Sequence, residues 1–260
     1  MNSVRIAQVG IAEFGIPKIV QLDYLDIENN DGLRKIEIPR LKKVNSYVKI
    51  SNNNALSTAT FNSLNEIDGN VTFSGLSAIS APKLGGIADS LVFLENTFES
   101  LALEKLQVVG KELQLIRNDN MKAFAFPSLK KIGGATIIQN NTEMTAIDEN
   151  CFPSLQQLIG KMLLIGPLEY IAIPALKSTS IPVTITSSGN LDCFETKKRH
   201  EIKGRDKWVC SSLKSKKDKG EPKEVDFNKL VDSSSNPLKL FGNIGFFIAI
   251  LFFTILTILL

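Results

Sequence analysis

The chain has 260 residues, 30 Lys and Arg against 27 Asp and Glu for a net charge of +3, 43% apolar residues, three Cys and one His. That length holds one large domain or two small ones, the charge is too near balance for a nucleic-acid binder, and the apolar share is too high for a disordered chain. Three cysteines exclude a disulfide-rich scaffold or a four-cysteine zinc site, and one histidine leaves an enzyme to work with carboxylates or lysines.

The amino terminus, MNSVRIAQVGIAEFGIPKI, has no basic stretch leading into an apolar core, so it does not read as a secretory signal. Val4-Arg5-Ile6 already reads as a strand. The chain therefore begins inside a coil, and the expectation is a solenoid truncated at its amino terminus.

From there a short anchor recurs: Ile16-Pro17-Lys18-Ile19, Ile38-Pro39-Arg40-Leu41, Phe61-Asn62-Ser63-Leu64, Ala81-Pro82-Lys83-Leu84, Leu103-Glu104-Lys105-Leu106, Phe126-Pro127-Ser128-Leu129, Phe152-Pro153-Ser154-Leu155 and Ile173-Pro174-Ala175-Leu176. Its closing residue advances by 22, 23, 20, 22, 23, 26 and 21 positions. Three residues after the anchor comes a second apolar landmark, at Val44, Ile67, Ile87, Val109, Ile132 and Leu158. An alternating strand follows, with Val48 and Ile50, Val71 and Phe73, Leu91 and Phe93, Leu113 and Leu115, Thr136 and Ile138, Met162 and Leu164, and Val183 and Ile185 facing inward. Several strands end in Asn, at Asn52, Asn96, Asn118 and Asn140, where a side-chain amide can bond the backbone of the next coil.

One such coil cannot bury its own apolar face, so the coils must stack and their strands form long parallel sheets. Residues 1–192 are read as a mainly β fold, a single parallel β-solenoid of about 22-residue repeats of the leucine-rich-repeat or receptor L-domain kind. The apolar residue that opens each anchor is expected in the core.

Cys193 and Cys210 follow the last strand, with Trp208 beside the second. Oxidised, they would close a loop worth about 3 kcal/mol and cap the end of the solenoid as a domain of residues 193–213; left reduced, they are two thiols in a loop. Cys151 sits beside Phe152 in an anchor and reads as a small buried apolar residue. The repeats carry a net charge of -2 and the remainder +5, so Lys197-Lys198-Arg199, His200 and the lysines from Lys214 to Lys219 are read as solvated, leading into a basic linker over residues 214–237. Two sequons, at Asn70 and Asn140, are candidate N-glycosylation sites on strand ends. The carboxylates Asp68, Asp89, Asp119 and Asp148 fall at differing phases of the repeat, so no catalytic cluster across coils is expected.

The last segment, residues 238–260, ends in 17 almost unbroken apolar residues from Ile244, expected as a C-terminal apolar helix. Upstream lie Ser233-Ser234-Ser235 and a short spacer. Small residues, spacer and apolar tail are the parts of a glycosylphosphatidylinositol (GPI) attachment signal, with Ser233 or Ser234 as the acceptor. The alternative is an ordinary terminal anchor on a tail-anchored cytosolic repeat adaptor.

The anchors FPSLKKIGG and FPSLQQLIG, the strands ending in paired Asn, the closing Cys pair with IKG between, and the serines before the tail together resemble one family. It is the fungal family of sporulation-specific and cell-wall-organisation proteins, GPI-anchored and built on receptor L-domain-like repeats. The chain departs from it in showing no signal peptide, no amino-terminal Cys region and no long Ser/Thr-rich stalk. The resemblance implies a non-enzymatic glycoprotein without a cofactor, on the outer face of the plasma membrane and in the cell wall. Its implied contacts are the membrane, through the lipid, and β-glucan or wall proteins, not nucleic acid. Its implied role is wall organisation, including ascospore-wall assembly.

Overall fold

The computed structural model describes residues 2–177, 179, 181–200 and 208–214, which form a parallel β-solenoid of about nine turns with one short helix. Ser233, Ser234, most of the basic linker and the apolar tail lie outside the described residues. No helix among the described residues is long and apolar enough to cross a membrane.

Each coil supplies up to three strands. The principal column is β1 (Val4–Ala7), β3 (Gln21–Glu28), β5 (Lys43–Ser51), β8 (Val71–Ser74), β11 (Leu91–Leu94), β14 (Leu113–Ile116), β17 (Thr136–Gln139), β20 (Met162–Gly166), β22 (Val183–Ser187) and β23 (Trp208–Ser211). A second column holds the two-residue strands β7 (Glu66–Ile67), β10 (Gly86–Ile87), β13 (Val108–Val109), β16 (Lys131–Ile132) and β19 (Gln157–Leu158). Strand β5 pairs with both β7 and β8, so the two columns are limbs of one fifteen-stranded sheet. The third side is lighter: β2 (Glu13–Gly15), β4 (Lys35–Glu37), β6 (Thr58–Thr60) and β9 (Ala78–Ser80) form one sheet, β12 (Ser100–Ala102) pairs with β15 (Ala123–Ala125), and β18 (Ala146–Ile147) with β21 (Tyr170–Ile171).

The recurring anchor is a turn. In seven copies the amide of the closing residue donates to the carbonyl of the opening one, as in Leu41 to Ile38, Leu84 to Ala81 and Leu129 to Phe126. Proline at the second position supplies the φ that such a turn needs and surrenders an amide the turn does not use. The opening and closing residues of those copies are buried, Phe61, Phe126 and Phe152 completely.

The corners between coils set the spacing. At Gly110 and Gly133 a Cβ would stand 1.9 Å from the Ala88 carbonyl oxygen and 2.0 Å from that of Gly110, so only glycine lets successive backbones approach there. The opposite corner carries a column of left-handed residues, Gln8, Asn29, Asn52, Gly75, Glu95, Arg117 and Asn140. Except for Val9, which is exposed, the residue after each points inward, and at five places it is a buried Asn: Asn30, Asn53, Asn96, Asn118 and Asn141. Asn118 shows the pattern, with Nδ2 donating to the Phe93 carbonyl and Asn141 Oδ1 while Oδ1 accepts from Asn96 N and Nδ2. The sequence reading of this ladder needs one correction: Asn96 and Asn118 belong to it, but in each Asn pair the second residue does. Asn52 and Asn140 are exposed, because the first position must take the left-handed conformation that Asn tolerates and the next one turns into the core. Leu76, fully buried, interrupts the ladder.

The principal strands stack in exact alternation of inward residues. Leu25, Val48, Val71, Leu91, Leu113, Thr136, Met162, Val183 and Trp208 are in register in one inward column, and Ile27, Ile50, Phe73, Phe93, Leu115, Ile138, Leu164, Ile185 and Cys210 in the next. Phe73 and Phe93 stack with ring centroids 5.5 Å apart. Thr136 is the polar exception, fully buried with its Oγ1 unpaired.

Candidate interaction surface

Inward residues being fixed by packing, function must be sought among the outward ones, and the principal strands bring these into two rows. The first row runs Arg5, Asp26, Lys49, Thr72, Val92, Gln114, Ile137, Leu163, Thr184 and Val209, each in register with the next. Two positions along lies a second row, with Glu28 and Ser51 at one end and Ser74, Leu94, Ile116, Gln139, Ile165, Thr186 and Ser211 continuing to the other.

At the β1, β3 and β5 end this surface is ionic. Arg5 contacts Asp26 at 3.7 Å and Glu28 at 3.1 Å, and Lys49 Nζ lies 2.5 Å from Glu28. Burial, reinforced by the neighbouring Glu28 charge, raises the Asp26 pKa, whereas the hydrogen bond from Lys49 draws that of Glu28 down. Tyr24 and Tyr47 stack on each other at 5.2 Å, so each ring spends one face on the other. From β11 onward the rows contain no ionisable residue; Val92, Leu94, Ile116, Ile137, Leu163 and Ile165 make them mainly aliphatic as far as β20, and Thr184, Thr186 and Ser211 make them mainly polar at β22 and β23. Of the polar side chains in these rows, Gln139, Thr184, Thr186 and Ser211 are half-buried, whereas Gln114 is buried and donates to Glu112 at 2.6 Å.

At the C-terminal end, Cys193 and Cys210 are joined as a disulfide with Cα atoms 5.8 Å apart. Cys193 opens α1 (Cys193–Arg199), whose N-cap Asp192 accepts from Glu195 N. His200 is not solvated as its basic neighbours suggested. It is 7% exposed: Nε2 accepts from Ile173 N at 2.8 Å, which leaves Nδ1–H to donate to the Thr196 carbonyl at 2.8 Å, and the ring packs 4.6 Å from that of Trp208. Burial holds its pKa below the ordinary imidazole value. Arg199 is engaged too, its guanidinium 4.3 Å over the Tyr170 ring and donating to the Ile171 carbonyl.

The other sequence-derived sites fall as follows. Asn70 and Asn140 are both exposed at strand ends, although Asn70 Oδ1 also accepts from Ser90 N at 3.3 Å. Cys151 is buried and unpaired, its thiol pushed up to about 12 by burial, so it is neither nucleophile nor ligand. Asp68 and Asp89 are engaged by Lys43 and Lys111, and no group of three or more His, Cys, Asp or Glu able to hold a metal occurs among the described residues. The aliphatic rows were not singled out from sequence. Aligning the second and fourth positions of each principal strand, such as Ile137 with Leu163 and Leu94 with Ile116, would have found them.

Comparison with known proteins gives relatives of one kind. Sporulation-specific protein 2 of Saccharomyces cerevisiae is 38% identical over 152 residues, covering 56% of this chain and 30% of that protein. Protein ecm33 of Aspergillus fumigatus is 27% identical over 234 residues, 90% of this chain and 56% of its own length. A cell surface GPI-anchored protein of Arthroderma benhamiae is 24% identical over 167 residues, 64% of this chain and 42% of its own. The chain thus spans between 30% and 56% of the length of these relatives. No protein-family model and no solved structure matches the chain significantly. The homologues of this chain are the fungal sporulation-specific and cell-wall proteins, the group that its anchors, paired asparagines and closing cysteines resemble.

Proposed function

We propose that the chain is a non-enzymatic, GPI-anchored surface glycoprotein of the plasma membrane and cell wall that supports fungal wall organisation, and in particular assembly of the ascospore wall. The observation that carries this reading is the similarity to Sporulation-specific protein 2, with the names of the other relatives pointing to the same surface. In this reading Ser233 or Ser234 takes the lipid, Asn70 and Asn140 carry glycans, residues 1–192 are the solenoid, 193–213 the cap and 214–237 the linker.

The mechanism is that of a scaffold. A ladder of parallel strands locked by the buried Asn column resists bending, so it presents its outward rows as a stiff plate rather than a flexible chain. The plate favours wall proteins over β-glucan as the contact. Sugar binding draws on open aromatic faces, yet Tyr24 and Tyr47 each spend one face on the other and the remaining rows hold no aromatic residue.

The test is release of the full chain from membranes by a phosphatidylinositol-specific phospholipase, with N-glycosidase treatment in parallel. Release into the soluble fraction and a gain in gel mobility on deglycosylation are expected. A chain that stays membrane-bound with an intact tail and no glycan shift would be a tail-anchored cytosolic protein instead.

A further inference from the structure

We infer that the flank of the solenoid where the anchor turns enter the second strand column is a binding site for an acidic polysaccharide. The inference stands on where the chain places its charges and holds whether or not the chain is a wall protein.

Three positions of each repeat face this flank: the third residue of the anchor and the two residues that follow its close. The first of those two stacks from coil to coil through backbone hydrogen bonds, Asn65 N to Lys42 O, Gly85 N to Asn65 O, Gln107 N to Gly85 O and Lys130 N to Gln107 O. The second is in register through Lys43, Glu66, Gly86, Val108 and Lys131. Over the seven anchors from Ile16 to Leu155 these positions hold eight Lys or Arg and one acid, Glu66. The rest of residues 1–192 holds nine basic and eighteen acidic residues, so a faintly acidic solenoid gathers its cations on one flank.

Charge pairing shows the same division. Elsewhere exposed cations meet acids of the preceding coil, as Lys111 meets Asp89, Arg117 meets Glu95 and Lys122 meets Glu99. Of the eight on the flank, Lys43 alone is in an ion pair among the described residues, with Glu66 at 3.1 Å and Asp68 at 2.8 Å. Lys18 and Arg40 lie exposed in successive coils, and so do Lys83 and Lys105. Like charges on coils about 4.8 Å apart repel, and an anionic chain laid along the stack removes that cost.

The flank also has a cleft. Lys42, Lys43, Ser63, Asn65, Glu66 and Lys83, from three successive coils, line a hollow of about 410 Å³. That is within the roughly 300–1,000 Å³ of small-molecule sites, but every side chain lining it is polar or charged. The Ser63 hydroxyl, the Asn65 amide and the Lys42 and Lys83 ammonium groups have no partner among the described residues, so they are open to a ligand. Beside them Gly85 and Gly86 keep the backbone bare. Neither has a positive φ, a Cβ at Gly86 would meet nothing within 4 Å, and one at Gly85 would stand 3.5 Å from Asn65 Oδ1. Packing does not demand glycine at either position, and a bare strand admits close approach of a ligand.

The class of ligand follows from these groups. Free hydroxyl and amide groups match the hydroxyls of a sugar, and ammonium groups match phosphate or carboxylate. Charge here does the holding that open aromatic faces do for a neutral sugar. The cations recur from Lys18 to Lys131 over six coils, about 24 Å, which suits a polymer rather than a single sugar. No Phe, Tyr or Trp occupies these positions, so nucleic-acid bases find no stacking platform.

The test measures binding of the detergent-solubilised full chain to phosphorylated dextran, polygalacturonate, uncharged dextran, polyglutamate and a DNA duplex. Binding to phosphorylated dextran or polygalacturonate, weakened by salt, and none to uncharged dextran are expected, and the preference between the first two tells phosphate from carboxylate. Lys42→Gln with Lys83→Gln is expected to weaken binding roughly tenfold. Gly86→Glu, which sets a second carboxylate beside Glu66 in open space, is expected to weaken it in the same direction. Lys111→Gln with Lys122→Gln, on paired cations away from the flank, is expected to leave it unchanged. The basic residues between Lys197 and Lys219 are common to every variant, so the differences read the flank. No binding to either acidic polysaccharide, no loss in the flank variants, equal loss in the two lysine pairs, or tighter binding to polyglutamate or DNA would each overturn the inference.

Discussion

The first three principal strands and the last six share one backbone and one pair of inward columns, yet their outward faces differ. At β3 and β5 the rows are Asp26, Lys49, Glu28 and Ser51 with the stacked tyrosines beside them; at β17 and β20 they are Ile137, Gln139, Leu163 and Ile165. Inward positions admit little besides Val, Leu, Ile and Phe because each coil must fill the same gap at the same height. Outward positions are under no such constraint, so what accumulates there reflects what the surface meets. A charged row that closes on itself is compatible with water alone, whereas a charge-free aliphatic row is costly to leave exposed unless something covers it.

The comparison presumes a common frame, and the largest effect comes from breaking that frame. Asn118→Ala strips an acceptor from Asn96 N and Nδ2 and a donor from the Phe93 carbonyl, all buried, and should cost about 3 kcal/mol or more in chemical denaturation. Opening the disulfide by Cys193→Ser unfastens the C-terminal end selectively. It should cost about 3 kcal/mol and lower the thermal midpoint by roughly 6–12 °C, with loss of protection first at β22 and β23 in hydrogen exchange.

Acid should act on the same end. Because burial lowers the His200 pKa in the folded chain, the unfolded chain binds the proton more readily, so this stabilisation is complete above about pH 6.5 and is lost as pH falls below it. The protonated ring also cannot accept from Ile173 N. Melting followed from pH 7.5 to 5 should show a falling midpoint, and His200→Gln should flatten that slope.

Smaller changes separate the two faces themselves. Lys49→Met removes a partner of Glu28 and should destabilise by about 1 kcal/mol in urea unfolding. Thr136→Val, in the inward column, should raise stability by about 1 kcal/mol, since it replaces a buried hydroxyl that has no partner.

How much of this could be read from the sequence depends on which interactions are local. The coil, the anchors and the inward alternation were legible because a strand's period of two and the spacing between anchors are written along the chain. The choice between Asn52 and Asn53 was not, because it turns on which residue adopts positive φ at the corner. His200 was misread for a related reason. Its neighbours Lys197, Lys198 and Arg199 are basic, but its partners Ile173 and Trp208 come from elsewhere in the chain. The aliphatic rows needed register across six coils before Ile137 and Leu163 could be seen as neighbours.

The central claim is that the uncharged rows, not the ionic end, carry the contact through which the scaffold works. It is tested most directly by expressing the full chain with Ile137→Glu and Leu163→Glu, or with Arg5→Ala and Lys49→Met, in fungal cells lacking it, at matched surface amounts. Survival in a wall-lytic enzyme is the readout. The account predicts that the first pair abolishes protection while the second preserves it; equal protection from both, or loss confined to the ionic pair, would contradict it.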